Sequence, residues 1–270
     1  EGLDALKGYG EIFKKSANAS GVVPQIAIIL GQCAGGAAFA PAMADFTFMV
    51  DGISHMYVNG PSVVKGGANE DITADSLGGA EAHSSKSGVA SFRAASEEEC
   101  FGQVKALLSY LPSNNLEGAP IYDAADDLNR VCADLENCVG DTALALSMIS
   151  DNNVFFEVKE NYAKEMVTGF IKLNGMTVGA VANRTEVYDA EGNVTDKFDA
   201  VLTKKGCEKA ADFVNFCDAF EIPVLSLTNV KGYEATVCSE KGIAKAAAKM
   251  TAAFAGATVP KVNVIIGKAY

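Results

Sequence analysis

The sequence predicts an α/β fold made of two related halves, each built as a spiral of strand–strand–helix turns. One observation is a repeated sequence segment: GVVPQIAIILG at 21–31 aligns with ATVPKVNVIIG at 257–267, with Pro24 opposite Pro260. Another is that a helical pattern precedes both copies and a glycine ends both. Copies so far apart in the chain indicate two copies of one domain rather than a solenoid repeat.

The first half begins with an amphipathic pattern that predicts a helix over 3–20. Its apolar residues lie near one face: Leu3, Leu6, Ile12 and Phe13. The run IAIIL, which follows Pro24 and Gln25, has no polar residue and therefore indicates a strand covered on both faces. GQCAGGAAFAPAMA then predicts a glycine turn and a short helix, and DFTFMV and HMYVNGP predict further strands.

A capping box predicts the next helix, since Ser96 is followed by Glu99 at the start of SEEECFGQVKALLSYL. We expect one stripe of this helix to be buried: Phe101, Val104, Leu108 and Leu111. After Pro112 the chain carries two acidic stretches and few strand signals. Residues 1–112 are therefore predicted as the first half and 113–152 as a connector.

The second half, 153–270, contains strands and helices in alternation. TVGAVAN is predicted as a buried strand after a hairpin turn at Asn174-Gly175. KGCEKAADFVNFCDAF predicts a helix with Ala210, Phe213, Val214 and Cys217 inward, and IPVLSLTNV predicts the next strand. A further helix, EKGIAKAAAKMTAAFAGA, leads to the strand VPKVNVIIG, so this half ends in the order seen near the start of the first.

Composition excludes several classes of function. The formal net charge is −12, with 34 acidic and 22 basic residues, and such a surface repels phosphate backbones, so we expect no nucleic-acid partner. The longest apolar runs, such as VVPQIAIIL, are far shorter than the roughly 20 residues that cross a bilayer. No signal-peptide pattern is visible, and we expect a cytoplasmic protein.

The reactive side chains are few. Seven cysteines form no CxxC pair and are expected to be reduced, and two histidines, His55 and His83, are too few and too far apart for an ordinary metal site. His55 lies near an apolar stretch, where a packed histidine is expected rather than a base. The sequence contains no GxSxG, HExxH, GxGxxG or P-loop motif. Cys33 is either a nucleophile or, as we expect, a small buried thiol.

The remaining chemistry lies in the backbone. Ala34, Gly35 and Gly36 follow a predicted strand and precede small residues that should start a helix. N–H groups at a helix start have no intrahelical acceptor, and glycine lets a ligand approach the main chain. Such a site suits a thioester carbonyl that becomes an enolate. The alternative is that the two glycines only allow tight packing of helix against strand.

Several segments, taken in order, resemble one known family. In the first half they are EGLDALKGYGEIF, ASGVVPQIAIILGQCAGGAAFAPAMADFTFMV, GPSVVK and LGGAEAHSSKSGVA; in the second they are FFEVKENYAKEMVTGF, FVNFCDAFEIPV and ATVPKVNVIIGKAY. With these motifs the chain resembles the carboxyltransferase subunits of biotin-dependent acyl-CoA carboxylases and decarboxylases. The resemblance covers most of the chain apart from the connector.

The resemblance implies two crotonase-like domains built from spiral ββα repeats, the first binding acyl-CoA and the second biotin, with the active site between domains of two subunits. It implies that Ala34, Gly35 and Gly36 form the catalytic oxyanion hole. The residues implied to bind the acyl-CoA substrate are Cys33, Phe39, Gly60 and Pro61. The residues implied to line the biotin side of the cleft are His83, Ser87, Gly88, Gly232 and Tyr233.

The activity implied by the resemblance is carboxyl transfer, in either direction, between carboxybiotin and the α-carbon of a short acyl-CoA of the propionyl-CoA or methylmalonyl-CoA type. The cofactor is biotin on a carrier rather than on this chain, the substrate is a coenzyme A thioester, and no metal is expected. The implied partners are a biotin carboxyl carrier protein, identical subunits in a ring-shaped oligomer, and a biotin carboxylase or a membrane decarboxylase subunit that would bring the protein to a membrane.

Other interpretations stay open at this point. A crotonase-type hydratase or isomerase would need a positioned acid or base beside the oxyanion hole, and a non-catalytic scaffold subunit would need neither. The family's motif has a proline where this chain has Gln32. Because the family continues beyond Glu1 and Tyr270, with glycines after the latter that hold biotin, we expect both domains to be incomplete in the chain as given.

Overall fold

The computed structural model describes residues 2–124 and 126–270. Glu1, where the predicted first half begins, and Ala125, inside the predicted connector, lie outside the described residues. The chain forms two compact units, one ending at Asn115 and the other spanning Leu116–Tyr270.

The first unit consists of short strands that alternate with helices. Its elements in chain order are α1 Leu3–Ala19, β1 Ile26–Ile29, β2 Gln32–Ala34, α2 Phe39–Met43, β3 Phe46–Val50, β4 His55–Tyr57, α3 Pro61–Ala68, α4 Ala74–Gly78, α5 Ala80–Ala82, β5 Phe92–Ala94 and α6 Glu97–Leu108. A 3₁₀ turn at Gly35–Ala38 precedes α2, and a π-helical turn at His83–Ser87 follows α5.

Two parallel sheets form the frame of the first unit. One has the strand order β1-β3-β5 and the other pairs β2 with β4. Only Leu30 and Gly31 separate β1 from β2, so the chain changes sheet within one short bend. The first two turns of the spiral thus each contribute a strand to each sheet before a helix, as the sequence predicts, and the third contributes β5 alone before α6. The core between them is apolar: Ile29, Ala38, Met49, Met56, Ala80 and Ala90.

The predicted helix α1 and strand β1 are both present, but they are less covered than the pattern indicates. Leu3 in α1 is 84% exposed, and no residue of α1 is buried. In β1, Ile29 joins the core while Ile28 stays 36% exposed. The prediction that β1 is covered on both faces is therefore wrong for one face, because alternate side chains of a strand point to opposite sides.

Helix α6 begins where the capping box predicts. The Glu99 N–H donates to Ser96 Oγ at 3.2 Å, and Glu99 Oε2 accepts from the Ala95 N–H at 2.9 Å. The predicted buried stripe is partly wrong, since Phe101 and Leu108 are exposed. The helix instead buries the residue before each of them, Cys100 and Leu107.

The second unit is built around one five-stranded sheet. Its elements are α7 Thr142–Ile149, β6 Phe156–Val158, β7 Met166–Leu173, β8 Met176–Asn183, β9 Glu186–Tyr188, β10 Val194–Lys197, α8 Lys204–Ala219, β11 Val224–Val230, α9 Val237–Glu240, α10 Ile243–Gly256 and β12 Lys261–Ala269. Short 3₁₀ turns at Leu135–Cys138 and Asp151–Asn153 flank α7.

The sheet of the second unit has the order β12-β11-β8-β7-β6. β7 and β8 form the predicted hairpin, in which Leu173 pairs with Met176 and the two turn residues Asn174 and Gly175 have φ of 52° and 76°. β8, β11 and β12 run parallel, connected by helices α8 and α10. Helix α8 buries the side predicted for it: Ala210, Phe213, Val214 and Cys217.

A buried charged cluster fixes the loop between β6 and β7. Lys209 of α8 is buried, and its Nζ donates to the carbonyl oxygens of Lys159 and Tyr162 at 2.8 and 2.7 Å. Arg184 Nη2 lies 3.3 Å from Glu157 Oε1. Burial raises the pKa of the Glu157 carboxyl and lowers the pKa of the Lys209 ammonium, while each charge favours the other's ionised form.

The described residues contain neither a helix that could cross a membrane nor a metal-binding group of side chains. No helix there combines the length and the apolar character that a bilayer span needs. No three His, Cys, Asp or Glu side chains within residues 2–124 and 126–270 are grouped so that they could hold a metal ion. All seven cysteines are free thiols.

Candidate functional site

The ladder between β2 and β4 organises the candidate site of the first unit. Cys33 lies opposite Met56, and Ala34 lies opposite Tyr57. The His55 N–H donates to the Gly31 carbonyl at 2.9 Å and so continues the ladder into the bend before β2. This pairing holds the end of β2, from which the two glycines follow.

The backbone at the glycines has the character of a donor site. The 3₁₀ turn starts at Gly35, and its N-cap residue, Ala34, has no side chain that could cap the first N–H groups. Gly35 has φ of 65°, a conformation that L-residues rarely adopt, and a Cβ there would meet no heavy atom within 4 Å. The main chain at Gly35 is therefore open to a ligand atom.

An aromatic row covers Gly36 from one side. A Cβ at Gly36 would lie 3.9 Å from the Tyr9 ring of α1. The Tyr9 and Phe13 rings stack with centroids 5.8 Å apart, and the Phe13 and Phe39 centroids are 5.7 Å apart. Phe39, a predicted substrate-binding residue, thus ends an apolar row that begins at the candidate donors.

Gly60 and Pro61 lie at the start of α3, one short turn after β4. Gly60 is the N-cap residue and Pro61 the first residue of the helix, where proline lacks only an N–H that would stay unpaired anyway. A Cβ at Gly60 would lie 3.2 Å from the Tyr57 ring. Since Tyr57 pairs with Ala34, the structure brings this predicted segment to the same ladder as the glycines.

His83, Ser87 and Gly88 reach the ladder through one hydrogen bond. His83 Nε2 lies 2.6 Å from the Met56 carbonyl oxygen, and Nδ1 lies 2.8 Å from Ser87 Oγ. Because a carbonyl only accepts, Nε2 carries a proton, and in the neutral imidazole Nδ1 then accepts from the Ser87 hydroxyl. Gly88 ends the π-helical turn with φ of 69°. His83 therefore has both ring nitrogens engaged.

The predicted residues of the second unit form a separate group. The Gly232 carbonyl accepts from the Leu202 N–H at 2.9 Å, and the Leu202 carbonyl accepts from the Glu234 N–H at 2.9 Å. Gly232 has φ of 140°, and a Cβ there would meet no heavy atom within 4 Å. Tyr233 is 48% exposed. These contacts fix the segment while leaving its main chain and one aromatic ring accessible.

Sequence reasoning missed a polar chain beside the glycines. Gln32 contacts both Tyr57 and His55, and His55 Nε2 lies 2.8 Å from Asp75 Oδ1. His55 is 8% exposed, in agreement with the interpretation of it as a packed histidine. Gln32, where the family's motif has proline, was the available signal, but its partners are 23 or more residues away in sequence.

Cys33 fits the interpretation of a small thiol within the fold. Its side chain packs against the core of the first unit, and burial raises the pKa of the thiol. A raised pKa leaves less thiolate at neutral pH, and the thiolate is the nucleophilic form. The surroundings of Cys33 therefore do not activate it as a nucleophile.

Comparison with known proteins adds an independent finding. Residues 1–270 match the model of the carboxyl transferase domain. The methylmalonyl-CoA decarboxylase subunit alpha of Veillonella parvula is 42% identical, with all of this chain and 53% of the relative covered. The propionyl-CoA carboxylase carboxyltransferase subunit of Haloferax mediterranei is 44% identical, with all of this chain and 52% of the relative covered.

A solved structure is similar throughout. Transcarboxylase 12S, a hexamer crystallised with methylmalonyl-CoA and methylmalonic acid bound, superposes with a TM-score of 0.89 at 41% identity over 98% of this chain and 51% of that one. This similarity confirms the predicted fold class. The chain spans about half the length of the curated relatives it matches.

Proposed function

Because this chain belongs to the carboxyl transferase domain family, we propose that the protein is a carboxyltransferase. It moves a carboxyl group between biotin and the α-carbon of a short acyl-CoA of the propionyl-CoA or methylmalonyl-CoA type. The observation that carries the proposal is the uncapped turn that follows Ala34, with open space at Gly35, within a chain that matches this family over its whole length.

The catalytic role that we propose for the first unit is stabilisation of an enolate. When the α-carbon of a thioester loses a proton or a carboxyl group, negative charge collects on the carbonyl oxygen. Fixed N–H donors aimed at that oxygen stabilise the charge more than they stabilise the neutral carbonyl, and one such donor contributes about 3–4 kcal/mol. Gly35 and Gly36 supply the donors, since no side chain caps them and the space at Gly35 is open.

The residues proposed to bind the acyl part flank these donors. Phe39 ends the aromatic row beside Gly36, and Gly60 and Pro61 adjoin Tyr57 on the paired strand. Cys33 and His83 support the ladder, His83 by its hydrogen bond to Met56. In this assignment the apolar surface excludes water from the enolate, and the backbone stabilises its charge.

The segment at Gly232 and Tyr233 of the second unit is the proposed biotin site. Its open main chain at Gly232 and the half-exposed ring of Tyr233 would hold the ureido ring. When bound, biotin supplies and accepts the carboxyl group. Ser87 and Gly88 of the first unit are proposed as further residues of the biotin side, held in place by the Ser87–His83 hydrogen bond.

The proposed partners follow from what the similar proteins are. The relatives are named as subunits or chains of larger enzymes, and transcarboxylase 12S is a hexamer. We therefore propose that this protein assembles with identical subunits in a ring, receives biotin on a carboxyl carrier protein, and works with a biotin carboxylase or with a membrane-bound decarboxylase partner.

A hydratase or isomerase finds less support in the structure. That chemistry needs a side chain free to take or give a proton near the donors. His83 uses both ring nitrogens, and Asp75 accepts from His55. Carboxyl transfer places no such demand on the first unit.

The test uses methylmalonyl-CoA labelled with ¹⁴C in its free carboxyl group, free biotin and the intact protein. We expect acid-labile radioactivity to move to the biotin fraction. Hydration of crotonyl-CoA without any transfer would support the hydratase instead. Titration calorimetry with propionyl-CoA covers the scaffold alternative, because a scaffold need not bind the thioester.

A further inference from the structure

A chain of hydrogen bonds lies on one side of the β2–β4 ladder, the side on which the Ala34 side chain lies. Gln32 and Ala34 are two positions apart in β2, so their side chains share one side of the strand, and both are exposed. The Tyr57 hydroxyl contacts Gln32 Oε1, and Gln32 Nε2 lies 3.0 Å from His55 Nδ1. The chain ends at Asp75 Oδ1, 2.8 Å from His55 Nε2.

The direction of every donor in this chain follows from its last member. An ionised carboxylate only accepts, so His55 Nε2 must carry a proton toward Asp75. In a neutral imidazole the other nitrogen then accepts, and Gln32 must present its NH₂ group to Nδ1. The amide oxygen of Gln32 is thereby turned to Tyr57, whose hydroxyl must donate. With the His55 ring neutral, the chain has one consistent arrangement from Asp75 to Tyr57.

The ring at the end of the chain fills a space that two glycines leave. A Cβ at Gly60 would lie 3.2 Å from the Tyr57 ring, and a Cβ at Gly78 would lie 2.8 Å from it. The ring is thus held between these two backbones, and Gln32 fixes its hydroxyl end. Since Tyr57 pairs with Ala34 in the ladder, the ring connects the donor segment to the turn at Gly60.

We propose that Tyr57 is a positioning residue for the backbone donors at 34–36, and that Gln32, His55 and Asp75 hold it in its working orientation. This inference rests on the proposed carboxyl transfer at the same site. Fixed donors contribute mostly in the transition state, so loosening them lowers turnover more than substrate affinity. If the hydrogen-bond chain served only to stabilise the ladder, removing it would lower the melting temperature and leave kcat unchanged.

Two variants test the chain by kinetics. In the intact protein, Tyr57→Phe removes one oxygen and Gln32→Leu removes both hydrogen bonds of the amide. We expect each to lower kcat for transfer from methylmalonyl-CoA to biotin about tenfold, with KM for the thioester changed less than about twofold. The matched control is Tyr122→Phe, which keeps its ring under Lys172 in the second unit and should leave kcat unchanged.

NMR spectroscopy tests the hydrogen-bond chain independently of any activity assay. ¹⁵N NMR of histidine-labelled protein should show the His55 ring as the neutral Nε2–H tautomer, assigned with His55→Gln. Gln32→Glu places acceptor oxygens against both His55 Nδ1 and the Tyr57 hydroxyl, so His55 should then carry protons on both nitrogens.

The outcomes separate the two proposals. Lack of transfer by the wild-type protein would overturn the proposed function and this inference with it. Transfer by the wild type together with unchanged kcat in Tyr57→Phe and Gln32→Leu would overturn the positioning role alone. An Nδ1–H tautomer of His55, or a ring that Gln32→Glu leaves neutral, would contradict the arrangement of donors on which the role depends.

Discussion

Replacing Gly35 with alanine separates the cost to folding from the cost to catalysis. The φ of 65° puts an L-residue in the left-handed region, which costs about 1–2 kcal/mol. A Cβ at this position would meet no heavy atom within 4 Å, so no clash adds to that cost. A domain stable by about 5–15 kcal/mol stays folded after such a loss.

The cost to catalysis should be larger. The new methyl group occupies the space left open beside the Gly35 main chain, where we propose that the thioester oxygen binds. Loss of one donor of this kind lowers kcat about 10²–10³-fold, equivalent to roughly 3–4 kcal/mol. We therefore expect Gly35→Ala to reduce carboxyl transfer from methylmalonyl-CoA by at least two orders of magnitude in the intact protein.

Gly52 supplies a matched control. It has φ of 67°, and a Cβ there would also meet no heavy atom within 4 Å, but it lies in the turn between β3 and β4, which no part of the proposed site uses. Gly52→Ala should lower the melting temperature as much as Gly35→Ala and leave kcat unchanged. If the two variants retain equal, near wild-type turnover, the donor assignment is wrong.

The remaining predictions concern one further donor, two packing sites and a thiol. Gly36→Val should lower transfer by two to three orders of magnitude, about 3–4 kcal/mol, while circular dichroism shows a folded protein; wild-type activity would remove Gly36 from the site. Gly78→Ala should destabilise the protein by more than about 2 kcal/mol in urea unfolding, because the new Cβ would overlap the Met56 carbonyl; a change within error would contradict the packing described. Lys209→Met should lower the free energy of unfolding in urea by about 3 kcal/mol, because it leaves the carbonyl oxygens of Lys159 and Tyr162 without their donor, whereas the exposed Lys245→Met should lower it little. Iodoacetamide at pH 7.5 should modify the exposed Cys238 before Cys33, whose pKa burial raises; faster labelling of Cys33 would revive it as a nucleophile.

The sequence was sufficient for the elements that local chemistry determines. The proline and the apolar run after it specify β1, the two glycines specify the turn at Gly35, and Asn174-Gly175 specifies the β7–β8 hairpin. Each of these signals acts over a few residues, through backbone conformation or side-chain alternation.

The wrong predictions of burial arise where packing against another element decides which side chains are covered. The α6 residues at 101 and 108 form as regular an apolar pattern as those at 100 and 107, and only packing on the strands selects the latter. An amphipathic pattern in α1 likewise specifies a helical face without specifying what covers it.

Local sequence patterns could not predict the polar chain of the candidate site, because its members come from separate elements. Gln32 and Tyr57 are 25 residues apart, and His55 and Asp75 are 20 apart, so only the parallel pairing of β2 with β4 and the return of α4 bring them together. A glutamine at a position where the family's motif has proline marked the place but could not name its partners.

The central claim is that backbone N–H groups at 34–36 hold the thioester oxygen. Isotope-edited infrared difference spectroscopy of bound [1-¹³C]propionyl-CoA measures this directly, because hydrogen bonds to a carbonyl oxygen weaken the C=O bond. We predict a carbonyl stretch at lower wavenumber on the wild-type protein than in water, reduced in Gly35→Ala and retained in Gly52→Ala. A bound thioester with the frequency that it has in water, or a shift that Gly35→Ala leaves intact, would contradict the account.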